Sequence, residues 1–117
     1  GGQLSSRSVV LVAEQALLRL EYLHSKGLIH RDVKPDNFVF GVGGKVHHLY
    51  LIDFGLSRRY CNKDGHEQRG ARRVGLTGNL RYASLNALRG VQQSRRDDLE
   101  ALAYVLLVLL RGSLPWS

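Results

Sequence analysis

At 117 residues, the chain has room for one small domain and no more. Apolar residues make up 44%, enough for a core, which excludes bulk disorder. The single cysteine, Cys61, excludes an internal disulfide framework and fits a reducing compartment, cytoplasmic or nuclear. Lys and Arg number 17 against 10 Asp and Glu, a net charge of +7 that favours anionic partners such as acidic or phosphorylated protein, nucleic acid or a membrane surface.

The chain begins Gly-Gly and contains no methionine, so it is expected to be part of a longer translated product. Residues 8–26 predict an amphipathic helix. Val9, Val12, Ala13, Ala16, Leu17, Leu20 and Leu23 fall at the i, i+3, i+4, i+7 spacing of a buried stripe. Ser5, Ser6 or Ser8 can cap its start and Gly27 can close its end. Leu28 to Asn37 is then a loop, with Pro35 excluding regular helix.

Phe38-Val39-Phe40 and Leu49-Tyr50-Leu51-Ile52 are short β-type runs, and Gly41-Val42-Gly43-Gly44 marks a turn between them. The pair predicts an antiparallel hairpin with Asn37 at one end and Asp53 at the other. His47-His48 is not a metal pair, because adjacent strand residues point to opposite faces. Gly43-Gly44-Lys45 lacks the first glycine and the following Ser/Thr of a phosphate loop.

From Gly55 to Asn86 the chain is polar and has no sustained period, and loops of that length are often functional. It carries Arg58, Arg59, Lys63, Arg69, Arg72, Arg73 and Arg81, which would attract an acidic or phosphorylated substrate. Asp97 or Asp98 then opens a second helix. Leu99 to Leu110 is apolar almost all round, so this helix is expected to be central and buried. Gly112 ends it and Pro115 prevents its resumption. Its apolar run, Ala101 to Leu110, is too short to span a bilayer, so no membrane span is expected.

The chemistry is concentrated in His30-Arg31-Asp32-Val33-Lys34-Pro35-Asp36-Asn37, with Asp53-Phe54-Gly55 following. Phosphoryl transfer from ATP needs a carboxylate to orient the attacking hydroxyl, a cation on the γ-phosphate and oxygen ligands for Mg²⁺. Asp32, Lys34 and the pair Asn37 and Asp53 supply these types, in the order and spacing of a protein-kinase catalytic loop and magnesium loop. Asp32 is the candidate base, Lys34 a point charge for phosphate, and Asn37 and Asp53 hard oxygen ligands. A lysine two residues after the aspartate is the serine/threonine pattern. His30 is expected to pack through its ring.

These segments, together with Arg81-Tyr82-Ala83-Ser84-Leu85-Asn86, Gln93-Ser94-Arg95-Arg96-Asp97-Asp98-Leu99-Glu100 and Gly112-Ser113-Leu114-Pro115-Trp116, resemble the casein kinase 1 family of serine/threonine protein kinases. Ser84-Leu85-Asn86 stands where most kinases have Ala-Pro-Glu. The resemblance runs over essentially the whole chain. It implies an α+β, protein-kinase-like fold in which residues 1–117 form the mainly helical large lobe, with the small lobe and terminal helices outside this sequence. By the same resemblance, Asp98 holds the catalytic-loop backbone, and His30 and Phe54 belong to a stacked apolar spine. Asp36 lies near the ATP ribose, and Val39 at the floor of the adenine pocket. Arg81 and Gly112 form part of an anion pocket for a phosphorylated residue upstream of the target. Asn79 and Ala103 depart from the family's usual threonine and glycine.

The leading expectation is therefore a monomeric kinase core that uses ATP and Mg²⁺ on acidic or phospho-primed proteins and is inactive as these 117 residues alone. The alternative is a catalytically inactive kinase-like module that docks acidic partners. A nucleic-acid binder ranks below both, because the arginines are not interleaved with exposed aromatics.

Overall fold

The computed structural model describes residues 4–61, 78–112 and 114. Helix α1 spans Ser6–Ser25. Of the three candidate serines, Ser5 takes the N-cap: its backbone is extended and its hydroxyl accepts from the Ser8 amide at 3.1 Å. Val9, Ala16, Leu20 and Leu23 are buried and Val12 and Ala13 half-buried. Leu17, expected in that stripe, is 48% exposed. It sits one residue, about 100° of helical rotation, beyond Ala16, past the arc that packs on the rest of the core.

The predicted hairpin forms. Strand β2, Phe38–Phe40, pairs antiparallel with β3, Leu49–Leu51, in the register Phe38↔Leu51, Val39↔Tyr50 and Phe40↔Leu49. Its connection is longer than the glycine run, because a 3₁₀ turn at Gly43–Lys45 folds inside it. Gly41 is required there: a Cβ would lie 2.6 Å from the Lys45 carbonyl oxygen. The free edge of β3 is satisfied by α1. Gln15 donates to the His47 carbonyl and accepts from the Leu49 amide, both at 2.8 Å, and Arg19 Nε donates to the Leu49 carbonyl at 3.0 Å. Two polar residues four apart on one helix face thus fix where the hairpin lies.

A second, unanticipated pairing crosses the segment read as loop. Strand β1, Leu28–Ile29, pairs antiparallel with β4, Arg58–Arg59. Two-residue strands carry no readable period. Ile29 is buried there with Tyr60 and the free thiol of Cys61. Residues Lys63, Arg69, Arg72 and Arg73 of the expected basic loop lie outside the described residues, as do Pro115 and Trp116.

Helix α2 is a single turn, Leu85–Leu88, capped by Ser84. Helix α3 spans Arg95–Arg111, so it starts earlier than Asp97. Asp97 is instead its third residue: one oxygen accepts from the Ser94 amide and the other from the Ser84 hydroxyl, both at 2.7 Å. One carboxylate thereby fastens the starts of two helices. Gly112 ends α3 in the left-handed region, φ 85°, as expected. The expectation of burial all round is overturned. Asp97, Asp98, Ala101, Leu102 and Val105 are buried, but Leu99, Leu107 and Leu110 are 43, 38 and 40% exposed. Among the described residues, only the side of α3 facing α1 and the 30–37 segment is covered. That side holds the core, built from Ala16, Leu20, Leu23, Val33, Leu49, Leu51, Tyr82, Leu102 and Val105. Among the described residues no helix is long and apolar enough to cross a membrane.

Glu100 makes a testable bridge between α2 and α3. Its Oε2 accepts from the Leu85 amide at 2.8 Å and from the Tyr104 hydroxyl at 2.7 Å. The bond to Glu100 first, then burial, then the carboxylate's charge push the Tyr104 phenol up to about 12. The folded value lies above the ordinary 10.0. The bond's stabilisation is therefore complete below pH 10 and is lost as pH rises through about 12. A phenolate-absorbance difference titration against Tyr104→Phe should place this group near 12, and Glu100→Gln should return it towards 10. Unchanged titration in Glu100→Gln would mean that the bond does not govern the phenol.

Candidate active site

The segment from His30 to Asn37 is held from below by α3. The buried Asp98 carboxylate accepts from the His30 amide at 2.8 Å and the Arg31 amide at 3.0 Å. Two consecutive amides converge on one carboxylate because Arg31 is in the left-handed region, φ 70°, which a non-glycine residue adopts only when its surroundings enforce it. Asp98 Oδ2 also meets His24 Nε2 of α1 at 2.8 Å. The Arg31 side chain turns away and donates to the Leu56 carbonyl at 2.6 Å. Burial, then the nearby Arg58, lower its pKa, and Asp98 opposes them.

His30 joins this segment to the end of the hairpin. Its Nδ1 lies 3.1 Å from the Asp32 amide, which can only donate, so Nε2 carries the ring hydrogen and donates to the Ile52 carbonyl at 2.9 Å. The ring meets Phe54 edge to face, centroids 5.3 Å apart. The expected packing of His30 against Phe54 is present, with two hydrogen bonds that the sequence did not signal.

Asp32 is 8% exposed and contacted on both oxygens. Asn79 Nδ2 donates to Oδ1 at 3.1 Å. Asn37 Nδ2 lies 3.3 Å from Oδ2 and 2.8 Å from the Asp32 carbonyl oxygen. The Lys34 ammonium is 3.9 Å from Oδ2 on a side chain 32% exposed. Pro35 opens a single 3₁₀ turn, Pro35–Asn37, which swings Asn37 back under Asp32. The sequence-predicted trio Asp32, Lys34 and Asn37 is therefore one cluster.

The hairpin brings Asp53 to the same place through its backbone. The Ile52 amide donates to the Asn37 carbonyl at 2.8 Å, one residue before Asp53. Asp53 is left-handed, φ 59°, and exposed, and its Oδ1 accepts from the Gly55 amide at 3.3 Å. Asn37 commits its amide nitrogen to Asp32, which leaves its oxygen for another partner. Two hard oxygen donors at adjoining backbone positions fit a Mg²⁺ ion, which prefers oxygen and takes few protein ligands.

The remaining candidates are more dispersed. Asp36 is exposed and Val39 is 38% exposed on the outer strand of the hairpin. Arg81 is exposed with its guanidinium 5.4 Å from the Tyr82 ring. Gly112 is seen as the terminator of α3. Sequence reasoning missed His24 and Gln15. Both lie on α1, where a polar residue flanking an apolar stripe reads as solvated.

The model of the protein kinase domain matches residues 1–117, and the chain belongs to that family. Its members are phosphotransferases that act on proteins with ATP and Mg²⁺.

Proposed function

We propose that these residues are the catalytic core of a casein kinase 1-like protein kinase that transfers the ATP γ-phosphate to serine or threonine of acidic or phospho-primed proteins. The supporting observation is the cluster of Asp32, Lys34 and Asn37 with the hairpin end that bears Asp53. Asp32 would accept the hydrogen of the substrate hydroxyl and orient its oxygen for in-line attack. Lys34, half-exposed beside it, would face the transferring phosphate as a point charge. Asn37 and Asp53 would hold Mg²⁺, and Asp36 and Val39 would lie against the nucleotide. Bound Mg²⁺ would supply charge neutralisation on the phosphates. The chain would act inside the cell, where Cys61 stays a free thiol.

Phosphoamino-acid analysis of a casein-type acidic protein, labelled by a kinase domain carrying these residues, tests the reading. Phosphoserine or phosphothreonine is expected, and label confined to tyrosine would refute it. Substrate choice gives a sharper expectation. Arg81 is placed by resemblance to read an anionic group upstream of the target. Charge-assisted hydrogen bonds are worth roughly 1.5–3 kcal/mol, so Arg81→Ala should lower kcat/KM for a phospho-primed peptide about ten- to a hundredfold. An unprimed neutral peptide should be nearly unaffected. Equal losses on both would mean that Arg81 supports the loop and does not read the substrate.

A further inference from the structure

Strand β3 is held on both of its edges, and the two edges answer to different parts of the molecule. Alternate residues of a strand turn their backbone groups to opposite edges. The even-numbered residues face β2: the His48 carbonyl accepts from the Gly41 amide at 3.0 Å, and the Ile52 amide donates to the Asn37 carbonyl at 2.8 Å. The odd-numbered residues face α1. There the His47 carbonyl and the Leu49 amide both meet Gln15 at 2.8 Å, and the Leu49 carbonyl meets Arg19 Nε at 3.0 Å.

The orientation of the Gln15 amide follows from its partners. The Leu49 N–H only donates, so the atom facing it is Oε1, and Nε2 is the donor to the His47 carbonyl. A carbonyl and an amide two residues apart on one strand edge are what a neighbouring strand would engage. One side chain of α1 thus takes the place of a third strand. It also fixes the register, because a slip of β3 by one residue would turn this edge away from the helix.

The same helix is tied to the other half of the site. His24 of α1 meets Asp98, whose carboxylate holds the His30 and Arg31 amides of the segment that ends at Asn37. Asn37 and Asp53 therefore sit on two pieces of chain that are both referenced to α1, one through His24 and Asp98, the other through Gln15, Arg19 and β3. We infer that Gln15 and Arg19 are positioning residues for the Mg²⁺ site: by docking the outer edge of β3 on α1, they set where Asp53 stands relative to Asn37. This rests on the reading of Asn37 and Asp53 as the Mg²⁺ ligands.

The test is made in an active kinase domain carrying residues 1–117. Gln15→Met keeps the length of the side chain and removes its donor and its acceptor. The Mg²⁺ concentration that half-saturates phosphotransfer, at fixed ATP and peptide, should rise about three- to tenfold, the scale of one neutral hydrogen bond. The rate at saturating Mg²⁺ should stay within about twofold. Arg19→Met gives up a single bond and should shift the requirement in the same direction by less. Ser5→Ala removes the cap of α1 without touching the hairpin, so it lowers stability and should leave the Mg²⁺ requirement unchanged. An equal shift in Ser5→Ala and Gln15→Met would mean that the requirement follows stability alone, and would overturn the inference.

A second readout needs neither metal nor turnover. The Ile52 amide lies three residues beyond Leu49, and its acceptor, the Asn37 carbonyl, is untouched by the substitution. In the metal-free domain its hydrogen exchange should quicken about three- to tenfold in Gln15→Met if the docking on α1 holds the hairpin end in place. Unchanged exchange at Ile52, or an unchanged Mg²⁺ requirement, would confine Gln15 to a local contact and overturn the inference. Phosphotransfer by the unaltered domain without Mg²⁺ would instead remove Asn37 and Asp53 from their proposed role, so the two readings fail on different measurements.

Discussion

Asp32→Asn, made in an active kinase domain carrying this chain, should lower the rate of phosphotransfer by about two to four orders of magnitude, the usual contribution of a positioned general base. Binding of Mg·ATP should change little, because the substitution is isosteric and leaves the proposed Mg²⁺ ligands Asn37 and Asp53 in place. The structure says why Asn37 should survive the change. Its amide nitrogen is 2.8 Å from the Asp32 backbone carbonyl, a bond that the substitution leaves in place, and only 3.3 Å from the side-chain oxygen that the substitution can remove. The new amide can keep its oxygen on Asn79 Nδ2, but its nitrogen then faces Asn37 Nδ2 and Lys34, which are donors and cannot accept from it. The backbone anchor of Asn37 is kept, while the charge that would orient the hydroxyl is lost. Calorimetric titration of Mg·ATP alongside a phosphotransfer assay separates the two effects. Near-normal turnover would remove Asp32 from its assigned role.

The parts of this site legible in the sequence are those written in local patterns. Asp32, Lys34 and Asn37 sit within six residues, and a single 3₁₀ turn at Pro35 is enough to gather them. The hairpin was readable because two apolar runs flank a glycine-rich turn, and the pairing placed Asp53 beside Asn37 without further information. The contacts that were not legible are between residues far apart in the chain. Gln15 bonds residues 32 and 34 positions away, and His24 meets an aspartate 74 positions away. No spacing rule on α1 distinguishes such a residue from a solvated one. The pairing of β1 with β4 is too short to have a period.

The α3 reading failed for a different reason. Apolar composition on every face says that a helix could be buried all round. It does not say what covers it, and Leu99, Leu107 and Leu110 stay part-exposed among the described residues. By position alone, the two aspartates at its start are favourable charges at the positive end of a helix. Their larger task is tertiary: Asp97 holds Ser84 and Ser94, and Asp98 holds the catalytic loop. Helix-end electrostatics would have been served by exposed carboxylates, whereas these are 2% and 1% exposed.

Asp98→Ala should therefore be the most damaging single change to the architecture of the site. It leaves the amides of His30 and Arg31 buried without their acceptor and strips His24 Nε2 of its partner. A buried donor left without its acceptor costs about 1–3 kcal/mol, so the two orphaned amides alone remove a large share of the roughly 5–15 kcal/mol that holds a typical domain. Arg31 should also leave its left-handed conformation, which costs roughly 1–2 kcal/mol and is enforced by that carboxylate. Because Arg31 precedes Asp32, the relaxation would displace the proposed base, and phosphotransfer should fall with stability. Two companions identify the cause. His24→Ala removes one contact to Asp98 but leaves both loop amides satisfied, so it should cost clearly less in a urea titration. Asp98→Asn keeps one acceptor oxygen and should fall between the two. If His24→Ala and Asp98→Ala cost the same, the carboxylate is needed for its contact with the helix and not for the shape of the catalytic loop. The ordering Asp98→Ala, then Asp98→Asn, then His24→Ala, in both urea midpoint and turnover, is the result expected if one buried carboxylate on α3 sets the backbone of the catalytic loop.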